Sequence, residues 1–234
     1  MKKILIYTTN DKVISLQLVN KIVSDNKFKN YEFDIHLSKA DFLRKIKILI
    51  TMLFFGSLKM FIKNLNYTIS IKEILKKNVN CKVINKVDEN KKYDFGLSVY
   101  CSSKIKLQKF KIYNFHLGNL KNQRGSFIFF YKFIKKWKNI SLSFHEISEK
   151  YDVGKVLNEK KIDLADNCKA SDIFFVYLDN LNFLSESIEK IDFVEGKLYD
   201  NVEKLNLVPS FFSIFKESIN QIFQKNKNIN KLDT

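Results

Sequence analysis

Two apolar runs separated by one amphipathic segment open the chain and restrict its fold more than any other feature. Residues 3–8 read as a buried strand, and residues 11–24 as a helix with Val13, Leu16, Val19, Ile22 and Val23 on its inner side. Residues 31–37 alternate apolar and polar side chains as a second strand. Strand, helix and strand of these lengths predict a βαβ unit, and with it an α/β fold around a Rossmann-like, doubly wound sheet. The turn after the first strand, Thr8-Thr9-Asn10-Asp11-Lys12, contains no glycine. Close approach of backbone amides to a phosphate usually needs glycine there, so the turn argues against a dinucleotide site.

Further along, residues 41–66 hold the apolar centre Ile48-Leu49-Ile50-Thr51-Met52-Leu53-Phe54-Phe55 between Lys45/Lys47 and Lys59/Lys63. The run is shorter than the roughly 20 residues that a bilayer-spanning helix needs, so no stable membrane insertion is expected. Two readings stay open: a buried crossover helix, or a helix whose face a subunit or a membrane surface covers. Because apolar residues run nearly around it, burial is the simpler one. A helix at 69–78, a strand at 81–87, a charged loop at 87–92 and a central strand at 93–100 follow. Ser126 is placed to cap a helix at 127–136, whose stripe of Phe127, Phe130, Tyr131 and Phe133 reads as core. Strands at 140–147 and 153–164 precede a long helix at 171–191, where the catalytic unit, residues 1–191, is expected to end. Residues 192–234 form a short C-terminal extension, with a hairpin around Glu195-Gly196, a helix at 210–223 and a fraying Lys/Asn tail.

The formal net charge is +16, carried almost wholly by lysine, with Arg44 and Arg124 the two arginines. Specific nucleic-acid readers favour arginine for its planar fork, and the lysines are scattered, so no nucleic-acid partner is expected. Codon bias of an AT-rich genome accounts for much of the charge, and attraction of anionic substrates for most of the rest. Cys81, Cys101 and Cys168 are far apart and odd in number, which reads as free thiols in a reducing compartment, without a disulfide framework or a metal site. The apolar run behind Lys2-Lys3 is too short for a signal peptide, so a cytoplasmic protein is expected.

Chemistry concentrates between residues 112 and 154. Asn114 and His116 lie two apart on a short strand and leave the same face. Gly118 and a polar loop follow, placing the pair at a strand's carboxyl end, where open α/β sheets bind ligands. Asp152 opens a second loop between two apolar runs. Amide, imidazole and carboxylate together suit acyl transfer to an amine: His116 takes the proton, Asn114 stabilises the oxyanion, and Asp152 orients the imidazole or a relay water.

Asn114-x-His116, then Arg124-Gly125, then Asp152-x-Gly154 resembles the signature of the formyltetrahydrofolate-dependent formyltransferases, over roughly residues 90–165. Leu117, Gly118 and Lys121 stand where that family usually has other residues. The resemblance implies a formyltransferase fold and a formyl donor, 10-formyltetrahydrofolate. It also implies a folate slot formed by Ser102, Ser103 and Ile105 on one side and Ser148, Glu149, Lys150 and Tyr151 on the other. Gly118, Arg124 and His145 fall to the substrate, with His145 either pocket wall or structural. The glycine-free turn disfavours the glycinamide ribonucleotide branch, and the short extension disfavours the methionyl-tRNA branch. What remains is a homodimeric enzyme acting on a dTDP- or UDP-linked amino-dideoxy sugar for O-antigen-type surface polysaccharide. Two alternatives stay open: another acceptor, or a catalytically silent folate or nucleotide-sugar binding relative.

Overall fold

The computed structural model describes residues 1–39, 41–56 and 69–229, with side chains to residue 220. The described strands, β1 Lys2–Thr9, β2 Tyr31–Ser38, β3 Cys81–Ile84, β4 Phe95–Val99, β5 Ile112–Leu117, β6 Asn139–Glu146 and β7 Val156–Asp163, form one sheet in the order β3-β2-β1-β4-β5-β6-β7. Pairing is parallel from β3 through β5 and antiparallel for β5–β6 and β6–β7. The order reverses direction between β1 and β4, so the expected α/β sheet is present with its switch point there.

Strand alternation sorts the two faces. Ile4, Ile6, Phe33, Ile35, Leu97, Phe115, Leu142 and Phe144 join the main core, into which the helices α1 Ser15–Val23, α2 Phe42–Phe55, α3 Ile71–Lys77 and α4 Ile128–Lys135 pack. Leu5, Tyr7, Tyr93 and Ile112 form a smaller cluster on the other face. There the cover comes from the segments around residues 84–93 and 101–110, which are loops because their polar sequence offers no helical apolar stripe.

Several local expectations change in physically clear ways. Asp11 does not start α1; its Oδ1 accepts from the Val13 amide at 2.7 Å, making a turn that delays the helix to Ser15. Ser126 does not cap α4: the helix starts one residue later, so Phe127 takes the cap position at φ +58°, with no side-chain cap bond, and the Ser126 amide donates to Asn206 O. The helix predicted at 171–191 is broken into α5 Ala170–Phe174, α6 Val176–Asp179 and α7 Leu181–Glu189. Asn180 contributes to the break, its Nδ2 donating to Val176 O at 2.9 Å.

Glu195-Gly196 makes no hairpin of its own; Lys197 exchanges two backbone hydrogen bonds with Val156 at the start of β7. The last helix, α8 Phe211–Ile229, runs further than predicted, and residues 230–234 of the tail lie outside the described residues. Helix α2 buries Ile48, Thr51, Met52 and Phe55, yet leaves Leu49, Leu53 and Phe54 exposed, so it is not buried all round. The remainder of that expectation, residues 57–66, lies outside the described residues. No helix among the described residues is long and apolar enough to cross a membrane.

One buried carboxylate ties the loop-covered face together. Asp34 on β2 accepts from Tyr93 Oη at 2.5 Å and pairs with Lys91, both at the end of the loop that follows β3. Burial opposes its ionisation, but these partners outweigh it and hold its pKa below the ordinary value. Asp34→Ala should lower unfolding free energy by about 2 kcal/mol in denaturant titrations, since it strands Lys91 and Tyr93. Unchanged stability would mean that these bonds do not hold the loop.

Candidate active site

Strand β5 carries Tyr113, Phe115 and Leu117 into the main core and turns Asn114 and His116 to the opposite side. Strand β6 repeats the pattern: Ile140, Leu142 and Phe144 are core, while Ser141, Ser143 and His145 share the other face. Register places Asn114 directly opposite His145 and His116 opposite Ser143. Asn114 Nδ2 lies 3.2 Å from His145 Nε2. His145 Nδ1 lies 3.0 Å from Glu146 O, and because a carbonyl only accepts, the ring proton sits on Nδ1 and Nε2 accepts from Asn114. One amide N–H of Asn114 is thereby committed and the second is left for the cleft.

His116 is fixed by the same logic. Its Nε2 lies 3.1 Å from Gln123 O and must donate, leaving Nδ1 bare in the neutral ring and 3.9 Å from Asp152 Oδ1. His145 Nε2 is 3.7 Å from that same oxygen. Gly118 makes the arrangement possible: its φ is +138°, and a Cβ there would stand 2.1 Å from Gln123 O and 2.7 Å from His116 Nε2. Ser143 Oγ holds Gly118 O at 2.6 Å, and Gln123 Oε1 accepts from the amides of Asn119 and Ser141 at 3.1 Å each.

Asp152 reaches this point from a loop in the left-handed region, at φ +51°. Its Oδ2 accepts from the Gly125 amide at 2.7 Å, leaving Oδ1 to the two imidazoles. Arg124 locks the loop: Nε donates to Asp152 O at 2.9 Å, Nη2 to Tyr151 O at 2.7 Å and Nη1 to Glu203 O at 2.8 Å. Asn206 completes the junction, its Nδ2 donating to Arg124 O at 2.8 Å while its own carbonyl takes the Ser126 amide.

These groups face a cleft of about 760 Å³. Asn114, His116, His145 and Asp152 line it, as do Ser102, Ser103 and Ile105 on one flank and Ser148, Glu149, Lys150 and Tyr151 on the other. The Ser102 amide is engaged by Thr9 Oγ1 at 2.9 Å, so contacts from that flank fall to its neighbours. Arg124 and Gly118, predicted to meet substrate, are not in the lining; the structure places them as clamp and as clearance behind the wall.

Sequence reasoning missed Gln123, which reads as an ordinary loop residue, and Tyr177, whose helical spacing marks it only as core. Tyr177 Oη accepts from the Leu117 amide at 2.5 Å, and burial raises its pKa well above the ordinary phenol value. It also missed residues 205–208, which line the cleft although they follow the boundary expected at 191. His36 stands apart, edge-on to Tyr7 beside a separate hollow of about 290 Å³. Among the described residues no group of His, Cys, Asp or Glu side chains is arranged to hold a metal ion.

Burial lowers the pKa of His145 from 6.5 to about 4; Asp152 opposes the shift and His116 adds to it. The ring is therefore neutral at physiological pH and remains an acceptor for Asn114. As pH falls through 6.5 the unfolded chain protonates this histidine while the folded chain does not, so stability drops between about pH 6.5 and about pH 4. The loss is on the order of 3 kcal/mol. His145→Gln, which keeps an acceptor but cannot titrate, should flatten that part of the urea-unfolding profile; an identical slope would contradict a buried neutral ring.

No family model matches the chain, and no curated protein does. Solved structures match. The N-formyltransferase of Helicobacter canadensis, solved with folinic acid and dTDP-3-aminofucose, superposes with a TM-score of 0.61 at 17% identity, over 93% of this chain and 79% of that one. The sugar 3N-formyltransferase WlaRD, solved with dTDP and 5-N-formyl-THF, gives 0.60 at 16% identity over 88% and 70%. HypX of Aquifex aeolicus, solved with tetrahydrofolic acid, gives 0.53 at 12% identity, with 90% of this chain spanning 30% of that one. At such identities the likeness concerns architecture: the chain is built on the fold that these solved structures share.

Proposed function

We propose that the chain is an N-formyltransferase moving the formyl group of 10-formyltetrahydrofolate to the primary amine of a dTDP- or UDP-linked amino-dideoxy sugar. A 4-amino-4,6-dideoxyglucose destined for surface polysaccharide is the first choice of acceptor. The observation that carries this reading is the convergence of Asn114, His116, His145 and Asp152 on one wall of the cleft. The shared fold of two N-formyltransferases, one solved with folinic acid and dTDP-3-aminofucose and the other with 5-N-formyl-THF and dTDP, supports it.

In this reading, the flanks at 102–105 and 148–151 hold the pteridine between them. The sugar amine adds to the formyl carbon, forming a C–N bond, and His116 Nδ1 takes the amine proton. Asn114 donates its free amide N–H to the tetrahedral oxyanion, and Asp152 Oδ1 stabilises the imidazolium from 3.9 Å. On collapse the bond from the formyl carbon to folate N10 breaks, and His116 returns the proton to that nitrogen. Products are the formamido sugar and tetrahydrofolate, and His116 ends as it began. No protein nucleophile takes part. His145 acts as a positioning residue through Asn114.

A single-turnover assay with 10-formyltetrahydrofolate and a panel of dTDP- and UDP-linked 3-amino and 4-amino sugars, glycinamide ribonucleotide and methionyl-tRNA tests this. One sugar nucleotide should gain one formyl group, and Asn114→Ala, His116→Ala and Asp152→Ala should each slow the step by about a hundredfold or more with the fold intact. Formylation of methionyl-tRNA or glycinamide ribonucleotide alone would overturn the acceptor. Folate binding without transfer to any acceptor would identify a silent relative, and absence of folate binding would overturn the reading of the cleft.

A further inference from the structure

Helix α2 has a second face that the core does not use. Phe42, Ile46, Leu49 and Leu53 follow at i, i+4, i+7 and i+11, along one line of the helix opposite Ile48, Thr51 and Phe55. Phe42 is 73% exposed, Leu49 43% and Leu53 52%, with Ile46 half-buried. By helical position Lys45 flanks this line, while Lys47 stands further round, at the junction with α8, its Nζ 5.2 Å from the centre of the Phe211 ring. Helix α8 continues the surface with Phe212, Phe215 and Ile219, at 77%, 46% and 52% exposure, beside Lys216. Phe54 and Phe215 meet edge to face at 5.7 Å and join the two stripes. Between Phe42 and Phe55 there is no Asp or Glu, and in α8 Glu217 is the one acid against three lysines.

We propose that this two-helix face docks on an anionic lipid surface. Exposed aromatic and aliphatic side chains bordered by lysines are what the boundary between headgroups and acyl chains accommodates: the rings enter the apolar edge while the lysine stems extend back to the phosphates. Charge complementarity selects this occupant over a second copy. Two copies packed through this face would bring Lys45 and Lys216 of each together with no acid on the α2 stripe to offset them. The docking is peripheral, since no described helix is long and apolar enough to cross. Arg44, on the opposite side of α2, lines the catalytic cleft, so the docked face and the cleft lie on different sides of that helix.

Co-sedimentation of the full chain with phosphatidylglycerol–phosphatidylcholine vesicles, and with phosphatidylcholine vesicles alone, tests the proposal. Binding should favour the anionic vesicles at least tenfold and weaken as salt rises. Leu49→Glu with Leu53→Glu should abolish it. Lys45→Ala with Lys216→Ala should weaken it roughly twenty-five-fold, at about fivefold per lysine, with the circular dichroism spectrum unchanged. No binding to anionic vesicles, equal binding to both kinds, or no effect of either double variant would overturn the proposal. A dimer in sedimentation equilibrium that Leu49→Glu with Leu53→Glu dissociates, without vesicle binding, would assign the face to a second copy instead.

Discussion

The carboxylate of Asp152 is the point on which the site depends. One oxygen is held by the Gly125 amide and the other stands 3.9 Å from His116 Nδ1 and 3.7 Å from His145 Nε2, so one side chain sets a carboxylate charge beside both imidazoles, while the carbonyls of Gln123 and Glu146 hold the rings themselves. A non-glycine residue in the left-handed region costs on the order of 1 kcal/mol, and here three guanidinium hydrogen bonds from Arg124 to the carbonyls of Tyr151, Asp152 and Glu203 offset it. Gly125 permits the crossing: at φ +96° a Cβ would lie 2.1 Å from Asn206 O. Three segments far apart in sequence, around residues 124, 152 and 205, are therefore one mechanical unit.

The sheet explains why that unit forms where it does. Parallel strands β1 to β5 end at one edge, where their connections open a crevice. The antiparallel strands β6 and β7 then return past β5 and bring a polar face with them. Ser141, Ser143 and His145 alternate with Ile140, Leu142 and Phe144, so the pattern that supplies core on one side supplies site scaffolding on the other. A buried neutral histidine is costly to charge, and that cost keeps the Asn114 amide aimed.

Much of this was legible before any coordinates. The opening βαβ period gave the sheet, and Asn114-x-His116 with Asp152 gave the convergent groups, because strand alternation and loop position are local properties. What escaped notice depends on partners distant in the chain. Arg124 reads as a substrate cation until its carbonyl partners are seen, and Gln123 as a plain loop residue until His116 is found against its carbonyl. Residues 205–208 look like a tail, and only the junction with Arg124 brings them to the cleft. The 171–191 segment keeps a helical apolar period, but the Asn180 amide competes for the backbone and interrupts it. In α2 the period could not tell which apolar face was buried, since both are apolar.

The histidine ring nitrogens offer the most direct measurement. In a 15N spectrum of the neutral imidazole, His116 should carry its proton on Nε2, against the Gln123 carbonyl, and leave Nδ1 bare toward Asp152. A proton on Nδ1 would place the basic lone pair behind the wall of the cleft, out of reach of an attacking amine. That result would contradict the arrangement on which the proposed proton transfer depends.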